Sequence, residues 1–301
     1  MNRNFKEIYE ELNTKNLDEI KIMHKRKNVT LIILLVLTLI LIFFNKIVFL
    51  NNIITVTFFL IFLFILLINI SITIKFKRIF KEIIIKRIVK LYDKEISFYT
   101  NMGILESEYR KSGFYKDFDK YYSEDLFKGK LNNKYSFEMA QVRTKKIEIV
   151  RDDRGKYIGK EEHIVFDGLY GMVDLNGINL SEIDVATNTI ISKYKNSRIE
   201  MDSAEFENNY DIFSKDKIKA LEIFTSEIID EINNFKTNIG KPIQIRIKNG
   251  KLFFNVYLGE ILEPPTFKNI MDYDILYKYF KIIDQPINLI SEILKNIDEI
   301  K

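Results

Sequence analysis

The chain of 301 residues contains no cysteine, which removes disulfide bridges, thiolate nucleophiles and cysteine-type zinc sites. That agrees with a reducing compartment. Only two histidines occur, His24 and His163. His24 lies beside an apolar run, so a serine–histidine pair or a multi-histidine metal centre would rest on His163 alone. Glycine is scarce, at 11 residues, and neither GxxxxGK after a strand nor GxGxxG occurs; Gly168-Leu169-Tyr170-Gly171 fits neither pattern. Phosphate loops of those kinds are excluded. Tryptophan is absent and proline numbers 4, against heavy use of Ile, Lys, Asn, Phe and Tyr. This composition reflects AT-rich coding rather than function. No cofactor, metal ligand or catalytic residue is assigned from the sequence.

Charge is missing from two long stretches. Residues 29–50 and 53–74 are apolar runs whose one charged residue is Lys46. Each is about 22 residues, and at about 1.5 Å per helical residue spans about 33 Å, enough to cross a hydrocarbon core of about 30 Å. Backbone in lipid must satisfy its own hydrogen bonds, so the pair is expected as a transmembrane helical hairpin. A cleaved signal peptide fits poorly, because the first run is too long, lacks a small-residue cleavage site and meets a second run at once.

Basic residues flank the pair on one side. Lys21, Lys25, Arg26 and Lys27 precede it, and Lys75, Lys77, Arg78, Lys81, Lys86 and Arg87 come after it. Short-loop Lys/Arg excess stays cytoplasmic, which predicts a two-span protein of the cell membrane with both termini inside. The formal net charge is +4. Its excess at the membrane suits a bilayer with anionic headgroups, at about 1 kcal/mol per basic residue, and not nucleic acid. Apart from Asn45 and Lys46 near the turn, the runs hold threonines, Ser71 and Asn69 as polar groups but no acid, so no transport signature appears. Asn69 is able to bond across helices and favour oligomers.

Periodicity then gives the rest. Residues 4–27 read as one amphipathic helix, with Phe5, Ile8, Tyr9, Leu12, Leu17, Ile20 and Met23 along one stripe. Phe76, Ile79, Phe80, Ile83 and Ile84 carry the second span onward, so both segments are expected to pack as a stalk, with a coiled-coil contact to another chain as the alternative. Short helices are expected at 107–110 and 118–127. Strands are expected from 134, interrupted near 143–146, with 158–166 returning across Asp152-Asp153-Arg154-Gly155. Further strands are expected at 189–194, 198–201 and 210–213. Ser214 is a plausible N-cap for one long helix to about Asn238, stopped at Gly240 before Pro242. Asn249-Gly250 marks a hairpin of 243–248 with 252–258. A last helical region, 273–300, is expected to break at Pro286. The fold class is therefore α+β. Its parts are an amphipathic helix at 1–28, a transmembrane hairpin at 29–74, a helical stalk at 75–105 and a cytoplasmic domain at 106–301. In that domain helices flank a mainly antiparallel sheet.

Several short motifs recur in a recognisable order. They are Tyr109-Arg110-x-Ser112-Gly113-Phe114, an acidic tyrosine-rich run to Asp125, Phe166-Asp167-Gly168, Asp202-Ser203-x-x-Phe206, Phe213-Ser214-x-Asp216, and the 243–258 hairpin ending at Glu263-x-Pro265. With the two upstream runs, this order resembles an uncharacterised bacterial membrane-protein family, catalogued as a domain of unknown function. The resemblance implies two N-terminal spans before a cytoplasmic α+β domain, and it brings no catalytic residues.

Clusters able to carry chemistry have bland readings beside them. Asp117, Asp119, Glu124 and Asp125 are interleaved with Lys116, Lys120 and Lys128, the pattern of a solvated helix face, and lack calcium-loop spacing. Asp152 and Asp153 with Glu161 and Glu162 would pair across a hairpin as acid and base, yet Arg151, Arg154 and Lys160 are at hand to neutralise them. His163 is expected on a sheet face with a backbone partner. These features together read as a membrane-anchored protein of unknown activity, presenting a cytoplasmic interaction or scaffold domain to a protein partner or a second copy. The alternatives are an enzyme using carboxylates and hydroxyls, with Asp125, Asp202 and Asp216 as its test positions, and an oligomeric pore built from the hairpins.

Overall fold

The computed structural model describes residues 4–13, 17–47, 52–187 and 197–300, with 43–47 and 52–55 described in backbone only. The chain divides into two compact units, one of Arg3–Ile88 with Leu262–Tyr277 and one of Met1–Asn2, Val89–Ile261 and Lys278–Lys301.

The first unit is helical. Its α1 spans Phe5–Asn13 and α2 spans Asp18–Ile47. The single amphipathic helix expected over 4–27 is thus two helices. Asp18 and Glu19 open the second, where negative charge complements the helix dipole. α1 buries Phe5, Ile8 and Leu12, each burial worth roughly 1.5–3 kcal/mol. Phe5 packs edge-on to Tyr273 at 5.1 Å, and Tyr9 donates to the Met271 carbonyl at 2.9 Å. α3 spans Asn52–Phe80 and passes through a five-residue π turn, Lys81–Ile85, into α4, Lys86–Tyr92. Lys81, Ile84 and Ile85 of this turn are all buried.

In the second unit, nine strands among the described residues form one sheet. They are β1 (Ser97–Tyr99), β2 (Lys120–Leu131), β3 (Tyr135–Arg151), β4 (Tyr157–Asp174), β5 (Ile183–Thr187), β6 (Arg198–Ile199), β7 (Tyr210–Ser214), β8 (Ile243–Lys248) and β9 (Lys251–Val256). Their order is β1-β2-β3-β4-β9-β8-β5-β7-β6, and every pairing is antiparallel. The α+β class holds.

Several local expectations change. Residues 118–127 are not helical: β2 runs through them, because Leu126 and Phe127 must meet the core while Tyr122 and Glu124 face out. β3 continues through 143–146 with only a register shift between Thr144 and Lys145. The strand expected over 189–194 lies outside the described residues, and β5, read from the short alternation Ile183-Asp184-Val185, was not expected. After the single-turn α6 (Ala204–Glu207), the helix placed over 214–238 is two helices, α7 (Lys217–Ile223) and α8 (Ser226–Ile239). Asp216, not Ser214, caps α7 by accepting the Lys219 N–H, and Gly240 ends α8 at φ 78°. Asn249 and Gly250 both have positive φ, 52° and 69°, as a two-residue hairpin turn needs. The last helix, α9 (Tyr273–Glu299), does not break at Pro286. One N–H is lost there, and the buried Ile282, Ile283, Ile287 and Ile290 around it hold the helix together.

The register separates two faces. One carries Phe137, Met139, Leu252, Phe254, Ile243, Ile245, Ile247, Ile183 and Val185, all buried. α8 packs on β8, and α9 is tied to α8 by Lys281 donating to the Asn238 carbonyl at 3.2 Å. The other face carries Ala140, Val142, Phe166, Tyr170 and Phe253, covered by Tyr109 of the short helix α5 (Glu106–Ser112) and by Phe118. Tyr109 meets Tyr170 at 4.8 Å and Phe118 at 5.7 Å, both edge-to-face, the arrangement aromatic quadrupoles prefer.

Candidate functional site

The helical unit exposes what a soluble protein would bury. One helix among the described residues is long and apolar enough to cross a membrane: Val56–Tyr92, 37 residues, with a mean hydropathy of 2.6 over its most apolar stretch, none of it buried. Phe59, Leu60, Phe64, Leu67 and Ile74 all stand exposed on it, as do Ile32, Leu35, Leu39 and Ile42 on α2. A contiguous apolar surface of this kind marks a partner or lipid. α2 and α3 pack side by side, and Asn69 donates to the Thr30 hydroxyl at 2.8 Å. Asn69 therefore finds its partner within the chain. Thr38 and Ser71 bond back to the carbonyls of Leu34 and Leu67, which satisfies their hydroxyls without water.

A polar collar closes the base of this pair. Lys27 is 5 % exposed, and its Nζ lies 5.0 Å above the Phe76 ring and 3.5 Å from the Pro265 carbonyl. Burial, and then the neighbouring Lys77 ammonium, push its pKa down. Lys77 and Lys81 both reach Glu263, at 2.5 and 3.4 Å. His24 stacks on Phe76, and its Nε2 is 2.8 Å from the Thr266 carbonyl. The same Nε2 lies 3.2 Å from the Asn28 side-chain amide nitrogen.

Two polar centres of the sheet unit organise motif residues. Arg246 of β8 pairs with Asp184 of β5, donates to the Ser112 carbonyl at 3.0 Å and lies 4.8 Å over the Phe114 ring. The Ser112-Gly113-Phe114 segment is thereby pinned to the sheet. Burial raises the Asp184 pKa and outweighs the opposing pull of Arg246. Arg143 chelates Asp167 at 2.8 and 3.0 Å and reaches Glu260 at 3.0 Å. Beside it, a Cβ on Gly168 would collide with the Val256 carbonyl, so the chain passes there only with glycine. The Phe166-Asp167-Gly168 motif thus supplies a core ring, an ion pair and a close strand contact.

The acids singled out in the sequence are spread apart. Asp117 pairs with Lys146, and Asp119 accepts the Ile147 N–H at 2.7 Å; they precede a strand rather than lining a helix face. Asp152 accepts the N–H groups of Arg154 and Lys156 in its own turn. Glu162 is held by Lys120 and Lys145, not by Arg151, Arg154 or Lys160. His163 is exposed, with Glu148 at 3.5 Å and Glu161 at 3.8 Å in place of a backbone partner. Asp125 is fully buried at a bulge in β2 with φ 59°, and Asp216 caps α7 just past β7. Six strand spacings of about 4.8 Å separate β2 from β7, roughly 29 Å. Asp202 lines a cleft of about 640 Å³ with Glu200, Ser203, Phe224, Thr225 and Asp230. These acids do not converge on one site.

Sequence reasoning missed the buried Lys27 and Lys81 and the pairs Arg246–Asp184 and Arg143–Asp167. A signal existed for the first pair: Arg246 sits between Ile245 and Ile247, and Asp184 between Ile183 and Val185, so each charge occupies an alternating position inside an apolar strand.

Residues 164–295 match the model of a family described as "Protein of unknown function (DUF3137)". The match runs from within β4 to within α9 and includes Asp167, Asp184, Arg246 and Glu263. No curated protein and no solved structure matches the chain. No biochemical activity comes with the match.

Proposed function

We propose that the protein is anchored in a cell membrane by α2 and α3 as a two-span hairpin and holds its sheet unit at the cytoplasmic face, where that unit recruits a protein partner or a second copy. The observation that carries this reading is the exposed apolar surface of the helix Val56–Tyr92. Hydrocarbon accepts such a surface, whereas water penalises it by about 25 cal/mol per Å². Lys25, Arg26, Lys27, Lys77 and Arg78 all flank the apolar stretches on one side, the asymmetry that keeps such loops inside. The sheet unit's acids favour a binding role over a reaction: Asp117, Glu162, Asp167 and Asp184 sit in ion pairs, Asp216 caps α7 and Asp152 holds its own turn, while Asp202 lines a cleft.

Fractionation of cells expressing the full chain tests the anchoring. Recovery in the membrane pellet after alkaline carbonate, with release by detergent, is expected. Release by carbonate alone contradicts the reading.

A further inference from the structure

We propose that the collar of the helical unit is a binding site for an anionic phosphate group, supplied by a lipid headgroup, with Lys27 as its recognition residue and Lys77 beside it. This rests on the membrane reading above and specifies where that membrane is recognised.

Three ammonium groups, those of Lys27, Lys77 and Lys81, share this collar, and Glu263 serves the latter two. Among the described residues no carboxylate stands within ion-pair distance of Lys27, whose contacts are the Pro265 carbonyl and the Phe76 ring. A lysine withdrawn from water needs a counter-charge. Here its neighbour is another cation, which makes the deficit worse. An anion entering between Lys27 and Lys77 would remove both costs.

Position decides which anion. Lys27 lies two residues before the exposed Val29, and Lys77 three residues after the exposed Ile74. At about 1.5 Å per residue both stand within one turn, about 3–5 Å, of the apolar boundary. That is the depth of lipid phosphates, and Lys binds phosphate as a point charge. Lys81, buried in the π turn, shares Glu263 with Lys77.

Native mass spectrometry of the full chain in neutral detergent, titrated with phosphatidylglycerol, tests the site. Lys27→Gln should weaken retention of one phosphatidylglycerol by about tenfold or more, the loss of one charge-assisted bond. Lys25→Gln, which removes an exposed charge from the same flank, should change it less than about threefold, as one screened charge does. Lys27→Arg keeps the charge and should retain the lipid, which separates loss of binding from loss of fold. Equal effects of Lys27→Gln and Lys25→Gln would overturn the site and leave a diffuse field in its place, with membrane insertion unaffected. Inorganic phosphate displacing the lipid at equal concentration would reassign the source to a soluble phosphate and overturn the lipid assignment. Carbonate release of the unsubstituted chain would overturn the membrane reading itself, and this site with it.

Discussion

Arg246 and Asp184 face each other across β8 and β5, with side chains only 16 % and 11 % exposed. Two charges withdrawn from water stabilise little as a pair but cost much when separated. Arg246→Leu alone should destabilise the sheet unit by about 3–5 kcal/mol, and Asp184→Leu in the same chain should recover most of that. Denaturant melts of the full chain in detergent, followed by near-ultraviolet circular dichroism, measure both. The tyrosines give a pH dependence. Burial pushes Tyr121 and Tyr210 up to about 12, and raises Tyr109 and Tyr170 further. Unfolded tyrosines ionise near pH 10, so the unfolded state loses protons first. The tyrosines leave stability unchanged below about pH 10 and lower it as pH rises from there towards 12. Absorbance titration at alkaline pH should show the exposed tyrosines of the 16 ionising first. The buried ones should ionise in a second step that coincides with unfolding.

At the level of elements, legibility tracked the strength of the local signal. Asn249-Gly250 imposes a tight turn, Gly240 a helix stop and the long apolar runs a helix, and each of these stands in the structure over the described residues. Residues 118–127 were misread because Phe118, Tyr121, Tyr122, Leu126 and Phe127 fit a helical stripe as well as a bulged strand. Only pairing with β3 and burial under α5 decide between them. The 214–238 stretch failed differently. Phe224 and Thr225 leave the helical region, and a new N-cap begins inside an apparently continuous pattern. Pro286 misled in the opposite sense, since burial of both flanking turns of α9 overrides a lost hydrogen bond. The cap can be tested: Asp216→Ala should cost about 1 kcal/mol and Ser214→Ala less, because Asp216 accepts the Lys219 N–H within the first turn. The same denaturant melts resolve the difference.

For the molecule as a whole, the long apolar helix and the α+β class were legible in the sequence, but the collar was not. Lys27 and Lys81 read as ordinary flanking charges, because their burial depends on Pro265 and Glu263, more than 180 residues away in the chain. The acids chosen as test positions looked like a set only in one dimension. Strand order spreads Asp125 and Asp216 across six spacings of the sheet. The central claim is that α2 and α3 cross a membrane and leave the sheet unit inside the cell. The chain has no cysteine, so single cysteines report without background. In intact cells, a membrane-impermeant maleimide should label Asn51→Cys, between the two runs. It should leave Asp153→Cys, at the β3–β4 turn, unlabelled until the cells are opened. Labelling of Asp153→Cys from outside, or protection of both positions in intact cells, would contradict the account.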